Sequence, residues 1–169
     1  MSKRVLILDT SVLCCWLKVP GKDEAGPVND RWDHARIDAL LEQERLKKST
    51  FVLPIATLIE TGNHIAQAPS HRFERASDLA SYLREAAEAK SPWAAFTDQS
   101  QLWGTANLRA LADSWPQLAN GCLSIGDATI KDVAEFYAKA GYFVEILTGD
   151  AGLKAYQPAK PVALPRRRR

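Results

Sequence analysis

Val5-Leu6-Ile7-Leu8-Asp9-Thr10-Ser11 passes from an unbroken aliphatic segment straight into three polar residues. A strand with one wet face alternates apolar and polar side chains. A strand covered on both faces does not, and that second pattern belongs to parallel sheets. Val5 to Leu8 therefore predict a doubly buried strand with Asp9 at its carboxyl end, and Thr10-Ser11 are placed to cap a short helix through Leu17. Two further runs read as strands, Phe51-Val52-Leu53 and Tyr142-Phe143-Val144-Glu145-Ile146-Leu147. Helical patterns lie between them. One is capped by Asn29 or Asp30 and reaches about residue 48, with Ile37, Leu40 and Leu41 inward. Another is opened by Pro54 and carries Leu58, Ile59 and Glu60. A charged one covers 70–90 with Leu79 and Leu83 inward, and one over 128–140 is closed by Gly141. Such alternation predicts an α/β fold with a mainly parallel sheet. In such sheets ligands bind beyond the carboxyl ends of the strands.

The remaining stretches are less regular. Residues 91–120 hold Trp93, Trp103 and Trp115, punctuated by Pro92 and Pro116, and read as two short helices in an insertion. Residues 150–156 read as a single helical turn, and Pro161-Val162-Ala163-Leu164 as an edge strand. At 169 residues, with 46% hydrophobic and 25% charged side chains, the chain suits one globular domain over 1–157, followed by a Pro/Arg-rich tail over 158–169. No apolar run approaches the roughly 20 residues that span a bilayer. Positions 1–8 are too short for a signal peptide, so the expected location is the cytoplasm. Cys14, Cys15 and Cys122 make an odd set with no disulfide or zinc spacing, and Cys14-Cys15 read as buried reduced thiols. The net charge is +2 and Arg166 to Arg169 supply +4, so the body carries about −2 (2 − 4). That tail is suited to touch phosphates without sequence preference.

Four acids end or follow apolar runs: Asp9, then Glu60 after 51–59, Asp127 after Cys122-Leu123-Ser124-Ile125-Gly126, and Asp150 after Val144-Glu145-Ile146-Leu147-Thr148-Gly149. Isolated carboxylates beside core strands are costly to desolvate, so four in that setting call for a joint explanation. A shared divalent cation is the economical one. Oxygen donors without cysteine or a clear histidine partner favour Mg²⁺ or Mn²⁺ over zinc. Such a cluster can orient a phosphodiester, activate a water and stabilise the leaving oxygen.

These residues resemble the motifs of PIN-domain nucleases. Asp9-Thr10-Ser11 after a strand looks like the family's opening motif, and Glu60 in Pro54-Ile55-Ala56-Thr57-Leu58-Ile59-Glu60 like its second acid. Ser124-Ile125-Gly126-Asp127-Ala128-Thr129-Ile130 looks like the third motif, and Thr148-Gly149-Asp150 like the fourth. The resemblance implies a three-layer α/β/α sandwich and a metal-dependent endoribonuclease acting on RNA. It often accompanies a toxin role of the VapC type, with an antitoxin protein as partner; a homodimer is compatible with it. It implies that Asp9, Glu60, Asp127 and Asp150 coordinate Mg²⁺ or Mn²⁺, with Ser11 and Thr148 in support through their hydroxyls. The chain departs from a compact toxin in its length, the excess falling around 69–121, and in a long gap between Asp127 and Asp150.

Every site residue also has a plain structural reading. Asp9 and Asp127 could be helix caps, Glu60 a solvent-facing helical acid and Asp150 a turn residue. His64 shares a helix face with Glu60, yet a packed or surface histidine is the commoner case, and Asn63 is discounted likewise. Asp132 points well round the helix from Asp127 and reads as a surface charge with a minor claim on the site. His34 and His71 read as surface residues, the three tryptophans as packing rather than base-stacking groups, and Lys131 and Arg109 do not stand out among the basic side chains. The competing function is a catalytically idle PIN-like module that binds nucleic acid or protein. A phosphatase lacks its second aspartate two residues after Asp9, and no Gly-x-Gly-x-x-Gly follows a strand to bind a dinucleotide.

Overall fold

The computed structural model describes residues 3–161. Its elements follow in the order β1 (Arg4–Leu8), α1 (Thr10–Trp16), β2 (Glu24–Ala25), β3 (Trp32–Asp33), α2 (His34–Leu46), β4 (Thr50–Val52), α3 (Ile55–Gln67) and α4 (Arg72–Ala87). A 3-10 segment (Phe96–Trp103) comes next, then α5 (Thr105–Asn120), α6 (Ile125–Lys139), β5 (Phe143–Leu147) and α7 (Ala151–Lys154). The principal sheet has three parallel strands in the order β4-β1-β5. Val5 stands opposite Thr50 on one side and Val144 on the other, and Leu8 opposite Leu147. Parallel neighbours need long crossovers, and here helices supply them.

The central place of β1 explains its sequence. Val5, Leu6, Ile7 and Leu8 are all 0% exposed. Successive side chains of a strand point to opposite faces. Leu6 and Leu8 accordingly join Phe51, Leu53 and Leu147 in a core with α1, α2, α3 and α4, while Val5 and Ile7 join Val52, Val144 and Ile146 under α6 and Leu153 of α7. Helices thus cover both faces, and the architecture is α/β.

The helices behave less simply. The α2 helix starts at His34, not near residue 29, because Asp33 is its cap and accepts the Arg36 amide at 2.8 Å. The residues before it form the antiparallel β2–β3 pair, whose two-residue strands are too short to show alternation. Its turn relies on Gly26, at φ +91°, where a Cβ would lie 2.6 Å from the Asp30 carbonyl oxygen. The α6 helix begins at Ile125, so Asp127 lies inside its first turn instead of ahead of it. The 91–120 segment yields one 3-10 piece and one full helix, α5, which continues through Pro116. A proline removes one N–H bond at some cost, and α5 tolerates it.

The region around 69–121 is only in part an appendage. Leu79 and Ala86 of α4, and Trp93 beyond it, sit in the main core. The Ala94 amide donates to the Phe51 carbonyl, and the Phe51 amide to the Pro92 carbonyl, so 92–94 shield the free edge of β4. Trp93 meets Phe51 edge to face, which is the packing role expected of it. Cys14 and Cys15 are buried thiols, as their apolar setting predicts. Val162 to Leu164 of the expected edge strand, and Arg166 to Arg169, lie outside the described residues. Among the described residues no helix is long and apolar enough to cross a membrane.

One buried charge ties the amino end of β1 to α2. Glu44 is 1% exposed and accepts from Ser49 Oγ at 2.6 Å and Lys47 Nζ at 3.0 Å, with Arg4 Nε at 3.4 Å. Burial alone would raise its carboxyl, but the Ser49 and Lys47 hydrogen bonds and the Arg4 charge outweigh that and hold it below its ordinary 4.5. Its contribution to stability is therefore complete above pH 4.5 and lost as pH falls through the lower, folded-state value. Glu44→Ala should cost about 3 kcal/mol, since it strands buried donors. Urea titrations at pH 7 and pH 3 should show that penalty shrinking at the lower pH.

Candidate functional site

The carboxyl ends of β1 and β5 are joined by hydroxyl groups. The Asp9 amide donates to the Leu147 carbonyl at 3.0 Å, which brings Asp9 beside Thr148. Thr148 Oγ1 donates to Asp9 Oδ2 at 2.7 Å and accepts the Asp150 amide at 2.9 Å. Ser11 Oγ donates to the same Oδ2 at 2.8 Å and accepts the Gly149 amide at 3.0 Å. Each hydroxyl is used as donor and acceptor, which suits a site that is nearly dry: Asp9 is 4% and Thr148 6% exposed. Asp9 also caps α1 through a longer bond, 3.4 Å from the Ser11 amide. The cap and the proposed site role therefore coexist.

Glu60 comes from α3, which Thr57 fastens to the sheet. Thr57 Oγ1 is fully buried and donates 2.8 Å to the carbonyl of Leu8, the residue before Asp9. Glu60 lies nearly one turn further along the helix, and its Oε2 accepts from Thr10 Oγ1 at 2.8 Å. Its other oxygen rests against Gly126, where a Cβ would stand 2.3 Å from Oε1. Any side chain at 126 would displace that carboxylate.

Asp127 enters from the first turn of α6. Ser124 caps that helix, accepting the Asp127 amide at 3.0 Å and donating its hydroxyl to Asp127 Oδ2 at 2.8 Å. This reciprocal pair orients the carboxylate. Asp150 caps α7, its Oδ1 accepting from Gly152 and Leu153. Gly149 lets β2 come close, since a Cβ there would lie 2.5 Å from the Gly26 nitrogen.

All four acids line one open pocket of about 440 Å³, together with Ser11 and His64. Thr148 holds Asp9 from behind. Asp132 is not part of it; Lys131 Nζ lies 3.6 Å from its Oδ1, and it borders clefts on the far side of α6. The five-residue step from Asp127 carries it round the helix. The pocket also holds residues that the sequence did not single out, namely Thr10, Cys14, Lys22 and Glu24, while Gly126 lies against Glu60 outside the lining. Thr10 and Gly126 were inside the quoted motifs, whereas Lys22 sits in a loop with no local signal. Burial pushes the Cys14 thiol up to about 11, so this thiol stays protonated and is no competing nucleophile.

The donor set fits a hard cation: carboxylate oxygens from four elements, oriented by hydroxyls, with no thiolate available. Among the described residues no three His, Cys, Asp or Glu side chains already stand as a metal-ligating group. The electrostatics show the acids sensing one another. Burial raises the Asp127 carboxyl above its ordinary 3.8, the Ser124 hydrogen bond opposes this, and the charges of Asp9, Asp150 and Glu60 raise it further. No family model, curated protein or solved structure matches the chain.

A raised folded-state carboxyl stabilises the fold below the unfolded value and loses that contribution as pH rises through the folded one. Ionised Asp127 is thus a net cost at pH 7 when no cation is bound. In chelator, Asp127→Asn should raise the melting temperature at pH 7 by on the order of 2 °C. Scanning calorimetry at pH 3 should show the advantage gone.

Proposed function

We propose that the chain is a PIN-like ribonuclease that uses Mg²⁺ or Mn²⁺ to hydrolyse RNA phosphodiester bonds. The observation that carries this reading is the convergence of Asp9, Glu60, Asp127 and Asp150 on one pocket beyond the strand ends. The α/β architecture with helices on both sheet faces is compatible with the three-layer α/β/α fold of that family. The choice of RNA rests on the motif resemblance, while the acids argue for metal-dependent phosphodiester chemistry. A toxin role with an antitoxin partner extends the same reading.

Asp9, Glu60, Asp127 and Asp150 would hold the cation. When bound, it would offset the negative field that repels a polyanion, and polarise the phosphoryl group and an attacking water. Ser11 and Thr148 fix the Asp9 carboxylate, Thr10 fixes Glu60, and Ser124 fixes Asp127. Such bonds hold the acids in place without reorganisation during reaction. Lys22 brings a cation to the pocket wall opposite in charge to the acids, and among the described residues it takes part in no ion pair within 4.0 Å. Its role in this reading is to bind a substrate phosphate as a point charge.

Asp9→Asn should abolish Mn²⁺-dependent RNA cleavage while leaving the circular dichroism spectrum intact; cleavage at the wild-type rate removes Asp9 from the site. If the wild-type chain binds RNA but cleaves none with any divalent cation, the idle binding module replaces the nuclease. Lys22→Ala should raise KM about tenfold at low salt with a smaller change in kcat, the loss expected for one phosphate contact. A purely structural lysine would leave the salt dependence of KM unchanged.

A further inference from the structure

The carboxylate pocket has an apolar neighbour. A groove of about 350 Å³ runs between α3, the end of the 3-10 segment, α5 and the start of α6. Glu60 lines both cavities and rests on Gly126 of the groove, so the two adjoin along its carboxylate. Beyond that junction the lining is apolar and open to water: Ile59 is 56% exposed, Ile125 50%, Leu108 42% and Trp103 37%. Large apolar side chains gathered on one surface mark a binding site more often than chance exposure. Trp103 takes part in no aromatic stacking pair among the described residues, in contrast to Trp16 and Trp93.

We propose that this groove is the subsite for a nucleobase beside the cleaved bond, with Trp103 as its stacking platform. The proposal rests on the nuclease reading above and adds to it the part of the substrate that the acids do not touch. Its support is the division of chemistry across two adjoining cavities. A single-stranded nucleotide is a charged phosphate joined to a flat, largely apolar ring. The acids with their cation and Lys22 suit the first, and Trp103, Ile59 and Ile125 suit the second. Stacking on an aromatic ring accepts every base and gives binding without hydrogen-bond readout. The missing side chain at Gly126 lets Glu60 rest against α6 and form the wall common to the two halves.

The test compares wild type, Trp103→Ala and Trp103→Phe on short single-stranded RNAs carrying one abasic nucleotide, moved stepwise through the cleavage position. Wild type should lose about tenfold in kcat/KM when the base at one flanking position is removed. Trp103→Ala should lose about tenfold on intact RNA and nothing more on that abasic substrate, the non-additivity of two groups in contact. Trp103→Phe should recover most of the loss, which separates stacking from support of the fold. Equal abasic penalties in wild type and Trp103→Ala would overturn the subsite while leaving the nuclease reading intact. If wild type cleaves no RNA, the nuclease reading fails, and equilibrium binding of the same RNAs then decides the subsite: base-independent affinity overturns it. A Trp103→Ala chain that sediments as a smaller species than wild type would assign the groove to a second copy and also overturn it.

Discussion

The Asp9 carboxylate, held by Thr148 and Ser11, is the interaction on which the rest of the site depends. It sits where the central strand ends, so its position is inherited from β1 packing on both faces. Thr148 fixes the end of β5 against it, and the Asp150 amide is fixed in turn by Thr148. Ser11 repeats the arrangement with Gly149. Two hydroxyls thus carry the geometry of β1 across to β5 and to the start of α7. Hydrogen bonds to a charged group in a nearly dry setting are stronger than neutral ones, which suits them to hold strand ends that lack a covalent link.

The same logic extends to the other acids, each held by a hydroxyl or by a helix cap. Thr10 serves Glu60 and Ser124 serves Asp127, while Asp150 spends one oxygen on the α7 amides. Burying a carboxylate and crowding it with like charges both oppose stability, and the Asp127 carboxyl is raised first by burial and then by the charges of Asp9, Asp150 and Glu60. A fold that keeps such an arrangement gives up stability for function, the usual relation between a preorganised site and its scaffold. Glu44 is the contrast: a buried acid with its partners in place, and a carboxyl held low instead of high.

The pocket and the apolar groove share a wall because α3 and α6 approach closely at Gly126. That approach also explains why the segment around 69–121 matters. Its first half completes the main core through Leu79, Ala86 and Trp93. Its second half packs against α6 and presents Trp103 and Leu108 in the groove that Glu60 also lines. One region of chain thus contributes core packing at one end and exposed apolar surface at the other.

The sequence alone determined the central strand, the α/β alternation and the four acids. Continuous aliphatic runs have one economical structural reading, and acids at their ends are conspicuous because burial there is costly. It also determined the burial of the Cys14-Cys15 pair. Where α2 begins was not legible, because Asn29, Asp30 and Asp33 are equally good caps and only the β2–β3 pairing selects among them. The length of α5 was hidden by Pro116, a local breaker overridden by context. The tertiary structure alone decided that Lys22 and Thr10 face the acids, that Asp132 does not, and that Gly126 is the seat of Glu60. Each of these depends on two segments distant in sequence coming within contact, and no local pattern of side chains encodes that.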